Sequence, residues 1–409
     1  MSENFSPDSN AMEYKYQLLL LGTDVPQKHQ ILSKLIEKLN DLGLPDNILK
    51  IIEADKISND YMGNQPAFAL YFGDKDGNHK HLYITDKLLK DGTMILPIFF
   101  GNPDDGAFSR EIPCILSNQN GMQFKDVELD RIANIILESF ELLRNTRKIF
   151  ISYRRNESTS TAIQLYEALE SYNYDVFLDT HSISKGQPFQ DELWHRMTDC
   201  DVIVLLNTPK FLESYWCKEE FAEAGTKQIG IIQLVWPNHE IEKIDSVSHI
   251  SYPMQLKESD FVDTIYNDKD RSKLADVIVE EIIQKVESVR ARNLASRQDS
   301  LITDFRNIAK ECGREVTVQP EKVLTEDLPS GKRIIYIPTI GIPQSISCQS
   351  AEIKSELYRP DNVSIRLIYD DLRIRDKWLN HLDWLNDNFK KDIQTLKKQE
   401  FKSWLQTTK

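Results

Sequence analysis

The chain of 409 residues is too long for one ordinary domain, and its length predicts two or three. Hydrophobic residues make up 40% of it and charged residues 28%, which is the composition of a folded protein and argues against extended disorder. The formal net charge of −14 argues against broad binding to a nucleic-acid backbone, because such binding needs a basic surface.

The cysteines and the apolar runs indicate which kind of folded protein this is. Five cysteines are widely spaced and form no CxxC pair, so we expect neither a disulfide framework nor a metal site. The first residues have neither the basic region nor the apolar core of a signal peptide, and no stretch reaches about 18 apolar residues. We therefore expect a soluble, cytoplasmic protein without a membrane segment.

The N-terminal third shows alternating strand and helix patterns. Residues 1–13 are polar and predict a disordered tail, and residues 14–145 predict an α/β domain. Two apolar runs, 67–72 and 81–85, flank an Asp-Gly pair, which predicts a β-hairpin. The other predicted elements here are strands at 16–22, 48–52 and 94–100 and helices at 31–39 and 126–144.

Residues 146–290 show the alternation more clearly. Short apolar strands are separated by segments whose apolar residues recur at helical spacing. Because parallel strands need helical crossovers, this order predicts βαβ units and a doubly wound parallel sheet. The predicted strands are 148–152, 175–179, 201–206 and 229–235, and the predicted helices are 162–169, 189–197 and 215–226.

The C-terminal part, residues 291–409, predicts a small α/β domain that ends in a long helix. A polar stretch at 287–300 indicates a helix end or linker, and 333–337 and 363–369 have strand patterns. Residues 371–406 show apolar residues at coiled-coil-like spacing and lysines on the outer face, which predicts one long helix. That helix either docks on its own domain or contacts a partner.

Four fragments between residues 148 and 221 carry a specific signal. They are Lys-Ile-Phe-Ile-Ser-Tyr followed by Arg154; a strand ending at Asp179 with a loop that carries Gly186; the apolar strand 201–206; and Ser-Tyr-Trp-Cys-Lys-Glu-Glu-Phe at 214–221. In this order they resemble the Toll/interleukin-1 receptor (TIR) domain family. The resemblance implies a flavodoxin-like doubly wound parallel sheet in the centre of the chain, flanked by two further α/β regions.

The predicted topology also indicates where a ligand would bind. In open parallel sheets, ligands bind outside the carboxyl ends of the strands, and Ser152 and Asp179 are predicted at such ends. Trp216 and Glu220 stand four residues apart, so they share one face of their predicted helix. The residues expected to contact the nucleotide are Ser152, Tyr153, Arg154, Asp179, Gly186, Trp194 and Trp216.

The resemblance also implies a reaction. Catalytic members of the family cleave NAD+ between nicotinamide and ribose, with NAD+ as the substrate and with no cofactor and no metal. The transition state is oxocarbenium-like, and a carboxylate near the ribose stabilises it. Glu220 matches the family's catalytic position, whereas Glu219 would point about 100° away on the helix.

Structural roles stand beside these functional ones. Glu220 could be a solvated helix charge, Arg154 a solvated surface charge, and Gly186 a turn residue only, while Trp194 and Trp216 could pack in the core. Two other classes of function remain open. The domain could be a signalling scaffold that acts through TIR–TIR contacts, or a nucleotide-binding regulatory module without turnover.

The flanking regions carry no catalytic motif of their own. Residues 14–145 predict a degenerate, non-catalytic TIR-like or flavodoxin-like domain. Proteins that join a TIR domain to further domains resemble bacterial immune effectors in antiviral defence, in which a sensor module gates NAD+ depletion. This resemblance implies a homo-oligomer formed through TIR domains, and an activating protein or nucleic-acid partner bound by the flanks.

Overall fold

The computed structural model forms two compact units, Met1–Leu143 and Arg144–Lys409. The predicted tail at 1–13 lies outside the described residues, and so does the predicted helix at 215–226. The structure describes residues 15–63, 65–178, 189–211, 227–239, 251–355, 363–389 and 392–408.

The first unit contains a five-stranded sheet whose strands are all parallel, in the order β2-β1-β3-β4-β5. This is the flavodoxin-like order. β1, which lies beside the central strand β3, is buried along its whole length, as its mostly apolar sequence predicts. The strands are β1 (Tyr16–Gly22), β2 (Leu49–Glu53), β3 (Ala67–Phe72), β4 (Met94–Phe99) and β5 (Met122–Gln123); the helices are α1 (Gln27–Asp41), α2 (Ile57–Asp60), α3 (Leu82–Lys90), α4 (Ala107–Glu111) and α5 (Leu129–Ser139).

The β-hairpin predicted around residues 67–85 is wrong. β3 forms as predicted, but the chain then enters α3, with His81 at its N-cap in a left-handed conformation (φ 59°). β3 already pairs with β1 on one side and with β4 on the other, so neither edge is open to a hairpin partner. Thr85 and Leu88, three residues apart, are the buried residues of α3, which is the spacing of one helix face.

The second unit opens with another parallel sheet, in the order β10-β9-β8-β6-β7. It repeats the flavodoxin-like order, so the predicted doubly wound sheet is confirmed. Alternate side chains of β6 enter separate cores: Ile149 and Ile151 pack in one cluster and Phe150 in another. The elements are β6 (Lys148–Ser152), α6 (Arg155–Ser171), β7 (Asp175–Leu178), α7 (Phe189–Asp199), β8 (Val202–Asn207), β9 (Gly230–Val235), β10 (Ser251–Gln255) and α8 (Asp276–Glu311).

The helix end or linker predicted at 287–300 is also wrong. One continuous helix, α8, runs through this stretch. Three of its polar residues, Glu287, Arg290 and Asn293, are buried. Glu287 accepts a hydrogen bond from Arg147, so the charges that suggested a linker belong to a packed interface.

A buried ion-pair network lies at the amino ends of β6 and β8. Asp201, fully buried, contacts Arg144 at 3.0 Å and Arg290 at 2.7 Å. Asp199 contacts Arg144 at 2.6 Å and also pairs with Lys148. Burial raises the pKa of Asp199, but Arg144 and Lys148 outweigh burial, so its pKa lies below the ordinary value. The network joins the start of the unit, the sheet and α8.

The remainder of the second unit is a mixed sheet in the order β11-β12-β13-β14-β15. The first two pairings are antiparallel and the last two are parallel. The strands are β11 (Thr317–Val318), β12 (Leu324–Asp327), β13 (Arg333–Pro338), β14 (Val363–Tyr369) and β15 (Ile393–Lys397); the helices are α9 (Ser345–Ser355), α10 (Asp376–Asn388) and α11 (Phe401–Thr407).

The single long helix predicted at 371–406 does not form. The segment divides into α10, β15 and α11, and β15 pairs in parallel with β14. Asn386 near the end of α10 accepts a hydrogen bond from the backbone N–H of Thr395 at 2.7 Å and so holds the strand beside the helix. Ile393 and Leu396 are buried in the sheet. Their spacing fits a helix seam equally well, which is why the local pattern misled.

Candidate functional site

Two of the predicted site residues, Ser152 and Tyr153, lie at the carboxyl end of β6, beside the carboxyl end of β8. β6 ends at Ser152, which is 3% exposed, and β8 ends at Asn207, which is 2% exposed. Tyr153 follows β6 and packs in the core cluster beneath this edge, at 5% exposure. Both predicted residues are therefore held at the expected edge of the sheet, with little of their surface open to solvent.

Arg154 and Glu157 hold the turn that follows β8. The guanidinium of Arg154 donates to the backbone carbonyl of Lys210, and the carboxylate of Glu157 accepts from the backbone N–H of the same residue at 3.4 Å. Arg154 is partly exposed and Arg155 is exposed. The structure therefore gives Arg154 a positioning contact, and its predicted contact with a phosphate stays a prediction.

A chain of side-chain hydrogen bonds begins at the carboxyl end of β8 and crosses β9 to Ser251, the first residue of β10. Asn207 donates to the side-chain oxygen of Gln233 at 3.2 Å, and Gln233 donates to the hydroxyl of Ser251 at 2.7 Å. A ring nitrogen of His239 lies 3.2 Å from the Asn207 side-chain oxygen. These residues escaped the sequence reasoning, although an amide within each of two apolar strands was a signal for them. Such buried networks fix the local geometry because each unmet bond is costly.

Thr208 adds a buried hydroxyl beside this network. The residue is fully buried, and its hydroxyl has no hydrogen-bond partner among the described residues. It directly follows Asn207, at the carboxyl end of β8. Buried polar atoms are nearly always bonded in native proteins, so Thr208 is a polar group suited to a contact at this edge.

Trp194 lies in the core at 4% exposure. It packs in one cluster with Phe150 and Phe177. The guanidinium of Arg373, from the loop after β14, lies 5.5 Å from the centre of its ring. A base that stacked on Trp194 would have to compete with Arg373, so the structure supplies the packing role, and the predicted stacking stays a prediction.

The other predicted site residues, Asp179, Gly186, Trp216 and Glu220, lie outside the described residues. β7 ends at Leu178, which pairs with Ile151 of β6. Within the described ranges, no three His, Cys, Asp or Glu side chains are grouped so that they could hold a metal ion. Among the same residues, no helix is long and apolar enough to cross a membrane.

The first unit has a comparable edge, which its own side chains occupy. The carboxylate of Glu111, fully buried, accepts from the backbone N–H groups of Phe100 at 2.6 Å and of Gly101 at 3.0 Å, just after β4. At the end of β1, the backbone N–H of Gly22 donates to a ring nitrogen of His81 at 3.1 Å. A buried carboxylate thus takes the N–H groups that an anionic ligand would otherwise use.

Comparison with known protein families supports the resemblance of the central region to a TIR domain. Residues 149–275 match the model of the TIR domain family. No curated protein matches the chain. One solved structure that it resembles is that of tagatose-6-phosphate ketose/aldose isomerase from Escherichia coli, with 12% identity over 70% of this chain and 82% of that chain and a TM-score of 0.19. A TM-score so low carries no argument about fold or function.

Proposed function

We propose that the TIR part of this chain cleaves NAD+ between nicotinamide and ribose, with Glu220 as the catalytic carboxylate. The observation that carries this proposal is the family match over residues 149–275, together with Trp216 and Glu220 in the motif that its catalytic members share. The flavodoxin-like strand order supports a site at the carboxyl edge of this sheet.

To catalyse this reaction, the protein must position NAD+ and place a negative charge near the ribose. In NAD+ the nicotinamide ring is a positively charged pyridinium. It leaves as a neutral molecule, so its departure needs neither a metal nor a strong acid. The ribose becomes oxocarbenium-like as that bond breaks, and the Glu220 carboxylate stabilises the positive charge. Water then adds to the ribose carbon and releases one proton, which gives ADP-ribose.

The described residues at this edge supply the frame. Arg154 and Glu157 hold the turn after β8. The hydrogen bond between the buried amides Asn207 and Gln233 joins β8 to β9. In this proposal Ser152 and Tyr153 support the floor of the site, and Arg154 can turn from the Lys210 carbonyl to a phosphate of NAD+. A charged contact to phosphate is stronger than a bond to a neutral carbonyl.

The residue assignment is tested by a matched pair of variants. Glu220→Gln keeps the shape and removes the charge, so nicotinamide release should fall about a hundredfold or more, with stability changed by less than about 1 kcal/mol. Glu219→Gln is the control and should retain activity. If Glu219→Gln abolishes release and Glu220→Gln does not, the catalytic position is wrong by one residue.

We further propose that cleavage depends on assembly through TIR domains, and that the flanking regions receive the activating signal, from a protein or a nucleic acid. In the family, the loop after the second strand makes TIR–TIR contacts, and Gly186 falls in the matching segment. Gly186→Trp should weaken assembly and turnover together. Full activity from a sample that light scattering shows to be monomeric would contradict this dependence.

A further inference from the structure

A cleft of about 360 Å³ opens at the carboxyl end of β14, where the chain turns into α10. Its volume falls at the lower end of the range for small-molecule sites, roughly 300–1,000 Å³. β13, β14 and β15 run parallel, and in such sheets ligands bind outside the carboxyl ends of the strands. The cleft is lined by Trp194, Arg373, Ile374, Arg375, Asp376 and Lys377.

The charge of the lining is positive in a strongly acidic protein. The chain has a formal net charge of −14, yet three cations, Arg373, Arg375 and Lys377, line this cleft against one carboxylate, Asp376. Arg375 pairs with Glu192 of α7. Arg373 and Lys377 are exposed, and they stand four positions apart along the chain. The local excess of positive charge favours an anionic ligand.

The backbone adds to this preference. α10 spans 13 residues, and its N-cap residue, Arg375, makes no side-chain capping bond to the first turn. The N-terminal N–H groups of a helix carry the positive end of its dipole and bind phosphate readily. The ring of Trp194 also lines the cleft, with the Arg373 guanidinium 5.5 Å from its centre. Cations, a helix N-terminus and a flat wall together match a phosphate-bearing small molecule.

We propose that this cleft binds a small molecule that carries a diphosphate, which Arg373, Lys377 and the first turn of α10 hold. The site goes beyond NAD+ cleavage and lies on a different sheet. One wall of the cleft belongs to α7. Trp194 of that helix lines the cleft, and Glu192 of the same helix pairs with the lining residue Arg375. A bound phosphate adds negative charge beside the Arg375–Glu192 pair, so in this proposal occupancy affects a helix of the TIR part.

The test is calorimetric titration of the full-length protein with inorganic pyrophosphate and, separately, with ADP. Arg373→Ala/Lys377→Ala should weaken binding about tenfold or more, because each side chain supplies a charge-assisted contact. Arg306→Ala/Lys310→Ala is the matched control, since it removes two exposed cations with the same spacing from α8. It should bind as the wild type does. Binding of pyrophosphate as tight as that of ADP identifies the diphosphate alone as sufficient, and tighter binding of ADP identifies an organic phosphate.

Three results would overturn the proposal. One is that neither probe binds more tightly than about 1 mM, which is weaker than most specific sites. Another is an equal loss of binding in the control double variant. The third is ADP binding that is lost in Trp216→Ala but kept in Arg373→Ala/Lys377→Ala, which would assign the nucleotide to the predicted NAD+ site. Because binding is measured, an absence of NAD+ cleavage would leave this test intact.

Discussion

Replacing Arg290 by methionine removes one charge from the interior of the second unit and keeps a long apolar side chain in its place. Arg290 and Asp201 are both fully buried, and the guanidinium lies 2.7 Å from the Asp201 carboxylate. Arg290 also donates to the backbone carbonyl of Arg144. The substitution leaves Asp201 paired with Arg144, at 3.0 Å, and the same guanidinium also contacts Asp199 at 2.6 Å.

Breaking a buried ion pair by removing one partner costs about 3–5 kcal/mol, because the other charge stays buried. Arg144 offsets part of that cost here, so we expect a loss of about 3 kcal/mol in the free energy of unfolding. Asp201→Asn in the same protein removes the stranded charge and should recover part of the loss. Lys402→Met is the control: its pair with Glu311 is 62% exposed on both sides, and it should cost less than about 1 kcal/mol.

Tryptophan fluorescence makes the assay specific to this unit. All six tryptophans lie in Arg144–Lys409, between Trp194 and Trp404, so urea unfolding followed by their emission reports on the second unit alone. Unfolding should occur in one transition in the wild type, since α8 joins the two sheets. A change below about 1 kcal/mol in Arg290→Met, equal to that in Lys402→Met, would refute the argument that this network stabilises the unit.

Three further predictions concern the same unit. A fragment of residues 146–290 should be less stable to urea than 144–409, because it lacks Arg144 and ends α8 at Arg290; equal midpoints would contradict this. Burial lowers the pKa of His195 to about 4, so the unfolded chain binds the proton first, and stability present above pH 6.5 should fall by about 1.4 kcal/mol per unit towards pH 4. His195→Phe, facing the same Glu192, Asp199, Arg196 and Arg375, should flatten that slope in urea titrations at several pH values. Asn207→Leu should cost about 1–3 kcal/mol by the same fluorescence assay, since it leaves Gln233 and His239 with unmet bonds, and an unchanged midpoint would rule this out.

The fold could be predicted where the signal is local. β1 and β14 form over the predicted residues, 16–22 and 363–369, because each is a short, mostly apolar segment, which is typical of a buried strand. β15 could not be predicted, because its partner, β14, lies outside any local window and Ile393 and Leu396 also fit a helix. The polarity of α8 misled for a similar reason: its charges find partners, such as Arg147 for Glu287, far away along the chain.

The strand end at which Ser152 lies could be predicted from the sequence, whereas the contacts of Arg154 and Trp194 could not. Strand alternation indicated the carboxyl edge at Ser152 correctly, since a parallel sheet puts those ends together. The contact between Arg154 and the Lys210 carbonyl could not be predicted, because it depends on the turn after a different strand. The cover of Trp194 by Arg373 depends on the C-terminal sheet, for which the sequence offers no recognisable motif.

Release of free nicotinamide is the direct measure of the NAD+ cleavage that we propose for this protein. Purified full-length protein is incubated with NAD+ over a series of protein concentrations, with light scattering on each sample, and nicotinamide is quantified by chromatography. We expect one nicotinamide for each NAD+ consumed, a rate that rises faster than linearly with protein concentration, and loss of the signal in Glu220→Gln. NAD+ that stays intact after incubation with wild-type protein shown by light scattering to be assembled would contradict the proposal.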